Sequence, residues 1–68
     1  MEKLAVKRKE LGFTNADMAR ALGISKVYYW QIEHKQRNLS YKMAFKIANI
    51  LKTKPDQLFY EEFQEDLS

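Results

Sequence analysis

Lys26, Val27, Trp30 and Gln31 follow one another at i, i+1, i+4 and i+5, and His34 extends the series at i+8. On a helix this spacing gathers them on one face. The chemistry they offer is hydrogen bonding and methyl contact rather than bond making. Lysine donates, the glutamine amide both donates and accepts, valine presents methyl groups, and the indole adds a flat ring with one N–H. The edges of DNA base pairs carry the complement. Lysine suits guanine O6 and N7, glutamine suits adenine N6 and N7, and valine suits the thymine methyl, a good contact supplying roughly 1–3 kcal/mol of discrimination.

Bond-making chemistry is poorly provided for. The chain has no cysteine nucleophile, no glycine loop able to cradle phosphates, no paired carboxylates framed by a pocket, and one histidine without a serine and acid to work with. It is therefore read as a non-enzyme that needs no cofactor and no small-molecule ligand. The lack of cysteine excludes disulfides and thiolate metal sites and fits a reducing cytosol. His34, near a helix C-terminus, reads as an ordinary exposed residue favouring the helix dipole, not as a metal ligand.

The 68 residues make one domain in the size range where a single core is marginal. There is room for four or five short helices and none for a separate sensor domain. The N-terminal "MEKLAVKRKELGF" lacks a continuous apolar stretch, and nothing approaches the ~20 apolar residues of a membrane span. A cytoplasmic location is the expectation. Charge is segregated: residues 1–54 hold all 12 basic side chains against four acidic ones, a net of +8, whereas Pro55 to Ser68 carries five acids and no base. A basic body with an acidic tail suits a polyanion partner, although Lys42, Lys46, Lys52 and Lys54 also read as a solvated helical face.

The elements that position the reading face follow from a few breakers. Leu4, Lys7, Arg8 and Leu11 recur at helical spacing from Lys3 to Leu11, and Gly12 stands where a left-handed terminator is expected. "TNAD" places Thr14 as N-cap with Asp17 three residues on, opening a short second helix that ends at Ala21 or Leu22. Gly23 breaks the pattern, and Ser25 caps a third helix from Lys26 to Glu33 or His34. After the polar "KQRNL", Ser40 caps a fourth helix whose Tyr41, Ala44, Phe45, Ile47, Ala48 and Leu51 form a broad apolar face. Pro55 opens a fifth through Leu58 and Phe59, and the acidic end continues that helix or frays. Two short helices joined by a tight glycine turn in a basic all-helical domain suit insertion of the second into the DNA major groove.

"TNADMARALGISKVYYWQIEHKQRNLSYKMAFKIANIL" resembles the helix-turn-helix domains of the Cro and phage-repressor (Xre-like) family. The match lies in Met18, Ala19, Gly23, Ile24, Tyr29, Ile32 and Glu33 at the family's spacing. It extends to Leu4, Arg8, Leu11 and Gly12 before the motif and to "RNLS" and "PDQLF" after it, about residues 3 to 60. The resemblance implies an all-α, compact five-helix domain with helices 2 and 3 as the helix-turn-helix, and an ion pair between Arg8 and Glu33. Ala19 must be small where those two helices cross. Departures are instructive. Asn15 stands where many relatives carry a longer glutamine that reaches the DNA backbone. Tyr29 replaces Ile or Val, so its hydroxyl is expected to find a partner or the surface. Lys35 replaces a common glycine, so the loop is expected to be built differently there. Leu39 occupies a frequent proline position.

Tyr28, Tyr29 and Trp30 then divide. Tyr29 joins Ile32 in the core, Tyr28 lies on the flank as core rim or phosphate contact, and Trp30 shares the outward face. Base reading is assigned to Lys26, Val27, Trp30 and Gln31, and phosphate contact to Asn15, Ser25, Tyr28, Arg37, Asn38 and Ser40. The expected function is sequence-specific binding of double-stranded DNA by a transcription regulator, of the phage or mobile-element repressor kind, acting as a homodimer on a pseudo-palindrome. Residues 1–60 form the DNA-binding domain. Residues 61–68 form an acidic tail projecting away from helix 3, with Tyr60, Phe63 and Leu67 as the dimer candidates. Two alternatives stay open: a protein-interaction module of helix-turn-helix shape, and an antitoxin or restriction-modification controller.

Overall fold

Hydroxyl side chains decide where three of the helices start. In the computed structural model, which describes residues 1–64, the elements are α1 (Glu2–Glu10), α2 (Asn15–Leu22), α3 (Lys26–Glu33), α4 (Tyr41–Ile50) and α5 (Pro55–Gln64). The Thr14 hydroxyl accepts from the Asp17 N–H at 3.0 Å while the Asp17 carboxylate accepts from the Thr14 N–H at 2.9 Å, a reciprocal capping box. Ser25 caps α3 through the Tyr28 N–H at 3.0 Å, and Ser40 caps α4 through the Met43 N–H at 3.1 Å. Pro55 occupies the first position of α5, where its missing N–H costs nothing. The α1 helix starts and ends one residue earlier than the spacing suggests.

The first four helices all end in the same way. In each, a residue at or just past the cap takes positive φ and donates to a carbonyl three residues back, while the next N–H reaches five residues back. The pairs are Gly12 to Lys9 with Phe13 to Arg8, Gly23 to Arg20 with Ile24 to Ala19, Lys35 to Ile32 with Gln36 to Gln31, and Lys52 to Asn49 with Thr53 to Ala48. These are Schellman motifs, which satisfy carbonyls a helix end would otherwise leave open. Two of the four are closed by lysine, with φ of 58° at Lys35 and 56° at Lys52. This corrects the sequence reading of Lys35: the loop keeps the left-handed conformation that glycine adopts more cheaply, and lysine accepts it because both bonds of the motif depend on it.

The core takes Leu4 from α1, Met18 and Ala19 from α2, Tyr29 and Ile32 from α3, Ala44, Ile47 and Ala48 from α4, Leu51 just after it, and Leu58 and Phe59 from α5. Helix α2 packs on α3, α4 packs on α2 and α5, and α1 closes the domain against α3 and α5. Ala19 is buried at the α2 contact as its size requires. Leu11, by contrast, is exposed. The broad face of α4 is narrower than its composition suggests. Only Ala44, Ile47 and Ala48 are buried within the helix, whereas Tyr41 and Phe45 are 59% and 47% exposed, because they flank the stripe that meets α2 and α5. Phe59 departs from helical geometry at φ −124° and ψ 16°, bending α5 so that Leu58 and Phe59 are both buried and Phe63 packs against Phe59, ring centres 6.3 Å apart.

Arg8 and Glu33 are the two buried charged residues of the described chain. Nε of Arg8 donates to one Glu33 oxygen at 2.5 Å and Nη2 to the other at 3.2 Å, a two-point pairing, and Nη1 donates to the Phe13 carbonyl at 2.8 Å. The hydrogen bond to Glu33 raises the Arg8 pKa above its already high ordinary value. Beside this pair the Tyr29 hydroxyl is fully buried without a hydrogen-bond partner, contrary to the expectation that it would find one or reach the surface. The two charged groups are engaged with each other, and burial, reinforced by the neighbouring Glu33 carboxylate, pushes the phenol well above the ordinary tyrosine range. Among the described residues no helix is long and apolar enough to cross a membrane, and no three acidic or histidine side chains are placed to hold a metal ion.

Candidate nucleic-acid interface

The turn between α2 and α3 is short because Gly23, at φ 71°, reverses the chain and Ser25 restarts it two residues later. Helix α3 is thereby held against α2 by Tyr29 and Ile32, both essentially inaccessible, with Glu33 tied back to α1. With those positions facing inward, helical periodicity turns Lys26, Val27 and Trp30 outward. Val27 is 65% exposed and Trp30 39% exposed. Gln31 lies on the same face, half-buried.

Its partial cover comes from Arg37. Nε of Arg37 donates to Oε1 of Gln31 at 3.0 Å, and the guanidinium lies 4.4 Å from the centre of the Tyr28 ring. Tyr28, Arg37 and Gln31 thus form one array along the flank of α3, although Arg37 belongs to the loop beyond the chain reversal at Lys35. Tyr28 packs against the core rim and carries a cation on its open face.

Trp30 is held from the other side. Its ring system stacks on His34 with centres 3.9 Å apart and planes 17° from parallel. Nδ1 of His34 lies 2.8 Å from the Trp30 carbonyl, which can only accept, so the ring nitrogen donates. His34 is exposed as expected, but it is not idle: it caps α3 and fixes the Trp30 indole plane.

The phosphate candidates occupy two places. Ser25, Tyr28, Arg37, Asn38 and Ser40 run along the flank of α3 and into the start of α4. Ser25 and Ser40 spend an acceptor lone pair on their caps, which leaves each hydroxyl hydrogen free to donate. Asn15 stands apart at the first position of α2, and its amide oxygen is buried without a partner. An anion would have to meet the donor end of that amide.

Charge along this surface is tempered at one end. Glu61 approaches Lys3 of α1 to 3.7 Å, and Glu62 approaches Lys35, two residues past the end of α3, to 3.9 Å. The acids at the end of α5 therefore do not all project away from α3, because the bend at Phe59 and the seat of Phe63 carry Glu62 toward Lys35. Tyr60 is 58% exposed. Phe63 is half-buried, with its ring 5.1 Å from Tyr41, which in turn lies 5.1 Å from Phe45. Leu67 lies outside the described residues. The exposure of Tyr41 and Phe45 escapes a sequence reading that places them on one broad apolar face. The one available hint is that seven apolar residues on a ten-residue helix are more than a single face can hide.

Among curated proteins and among solved structures, no significant match to the chain is found. A family model described as helix-turn-helix matches residues 4–58, from the first core leucine to the penultimate core position in α5. Five helices without strands among the described residues, with α2 and α3 as the motif, agree with that match, and the family binds double-stranded DNA to regulate transcription rather than to catalyse a reaction. The chain belongs to the helix-turn-helix family of Cro and phage-repressor type, and is a DNA-binding transcription regulator.

Proposed function

We propose that the protein is a repressor of the phage or mobile-element kind that binds a pseudo-palindromic operator as a homodimer. The observation that carries this reading is the outward face of α3, where Lys26, Val27 and Trp30 are exposed and Gln31 is half-buried beside the Tyr28–Arg37 flank. Lys26, Val27 and Gln31 read base edges in the major groove, and Trp30, held flat by His34, packs on a thymine methyl or a deoxyribose. Ser25, Arg37, Asn38, Ser40 and the free N–H groups at the start of α4 hold phosphates, with Asn15 adding a contact from α2.

One eight-residue helix touches few base pairs, so two copies are needed for useful specificity, their recognition helices about 34–36 Å apart. The surface best suited to pairing is the aromatic patch of Tyr41, Phe45 and Phe63, with the exposed Tyr60 as a further candidate; Leu67 lies outside the described residues. Selection of bound DNA from a random pool tests the whole reading. A consensus with two-fold symmetry is expected, and Lys26→Ala should relax it at one position per half-site by about 1–3 kcal/mol. A salt titration separates this from a protein-interaction module: log K should fall steeply with log salt, and an apolar protein partner would give little slope.

A further inference from the structure

We infer that Arg37 decides which base Gln31 reads, by taking the acceptor end of its amide before DNA arrives. The inference rests on the base-reading role of α3 proposed above. Arginine carries donors only, so the atom it meets on Gln31 must be the amide oxygen, and the orientation of that amide follows from chemistry. Arg37 is in turn oriented by the Tyr28 ring beneath its guanidinium. The amide is therefore set by two contacts in the free protein.

A free glutamine pairs with adenine in two points, its oxygen accepting from N6 and its nitrogen donating to N7. Oε1 has two lone pairs, and with one held by Arg37 at 3.0 Å the oxygen is drawn toward the flank, which leaves the NH₂ as the end of Gln31 that faces the groove. Two donors match an edge of two acceptors, guanine O6 and N7, and mismatch the adenine amino group. Gln31 of this protein thus selects guanine where an unconstrained glutamine would select adenine. Arg37 does so without touching the base, as a positioning residue, and its Nη groups are left to meet a phosphate. A phosphate contact and a base contact are joined through one guanidinium, although such contacts ordinarily do separate work.

The test is selection from a random duplex pool with the wild-type chain, Gln31→Ala and Arg37→Met. Arg37 is exposed, so the variant removes the donor without disturbing the core. Gln31→Ala identifies the operator position concerned as the one whose preference disappears. At that position the wild type is expected to favour guanine over adenine by about tenfold. Arg37→Met is expected to lower that ratio at least fivefold or reverse it, with the preferences set by Lys26 unchanged. In the DNA-free protein, the Gln31 side-chain amide resonances should move in Arg37→Met. A wild-type preference for adenine would overturn the inference, and so would a uniform loss of affinity in Arg37→Met with the guanine-to-adenine ratio unmoved. Absence of any selected sequence would overturn the base-reading role of α3 as well, whereas a consensus sensitive to Gln31→Ala but not to Arg37→Met overturns the inference alone.

Discussion

Arg8 and Glu33 meet at two points across 25 residues of chain, and their pairing anchors the end of α3 to α1. Both side chains are nearly inaccessible, at 10% and 4%. Such a pair is dangerous to break singly, because the partner left behind is a buried charge. Arg8→Met is expected to cost about 3–5 kcal/mol, while Arg8→Met combined with Glu33→Leu should recover most of the loss. Urea denaturation of the two single variants and the double variant forms the cycle that checks it.

Tyr29→Phe should stabilise the fold by about 1 kcal/mol, since it removes a buried hydroxyl that has no partner and leaves the ring in place. A loss of stability in thermal or chemical denaturation would mean that the hydroxyl supports the neighbouring ion pair.

The two lysines at positive φ give a paired prediction. Lys35→Gly and Lys52→Gly should each raise stability by about 0.5–1 kcal/mol, the relief of left-handed backbone being partly offset by the greater freedom of glycine when unfolded. Gly23→Ala should do the reverse and cost about 1 kcal/mol, although a methyl group there would meet nothing within 4 Å. Equal midpoints for all three variants would show that the turns relax freely.

Asp17 sets part of the acid response. The Thr14 backbone N–H, then the Thr14 hydroxyl and Arg20, hold its carboxyl below the ordinary aspartate value of 3.8. Because the unfolded chain takes up this proton at the higher pH, the contribution is complete above about 3.8 and is lost as pH falls through the lower folded value. Carbon-13 titration of the Asp17 carboxyl should give a midpoint below 3.8, and Asp17→Asn should flatten the stability profile in that acid window.

Phe45→Asp is expected to weaken self-association at least tenfold with little change in monomer stability, Phe45 being 47% exposed at the edge of the aromatic patch. Sedimentation equilibrium without DNA measures it. Truncation after Tyr60 removes Phe63 and should act in the same direction; a dimer unaffected by both changes would place the interface elsewhere.

Helix starts are legible in this sequence because Thr14, Ser25 and Ser40 each carry an oxygen that must accept a backbone hydrogen bond nearby. The division of Tyr29 from Trp30 is legible too, since neighbours on a helix cannot share a face. The lysine-closed ends at Lys35 and Lys52 are not, because lysine carries no local mark of a left-handed residue. Nor is the contact of Arg37 with Gln31, which lies across a chain reversal where no helical spacing applies. Tyr41 and Phe45 fail for a third reason: which flank of α4 stays uncovered depends on the bend of α5 at Phe59.

The repeated helix ending bears on how fast the chain reaches its fold. Each of the first four helices carries its own stop, made from bonds no more than five residues long, so the end of each is specified locally although helices of eight to ten residues depend on tertiary packing for their stability. Local contacts of this kind belong to helical domains that fold on the order of microseconds to milliseconds, and the glycine variants at Lys35 and Lys52 would change how sharply two of those ends are specified.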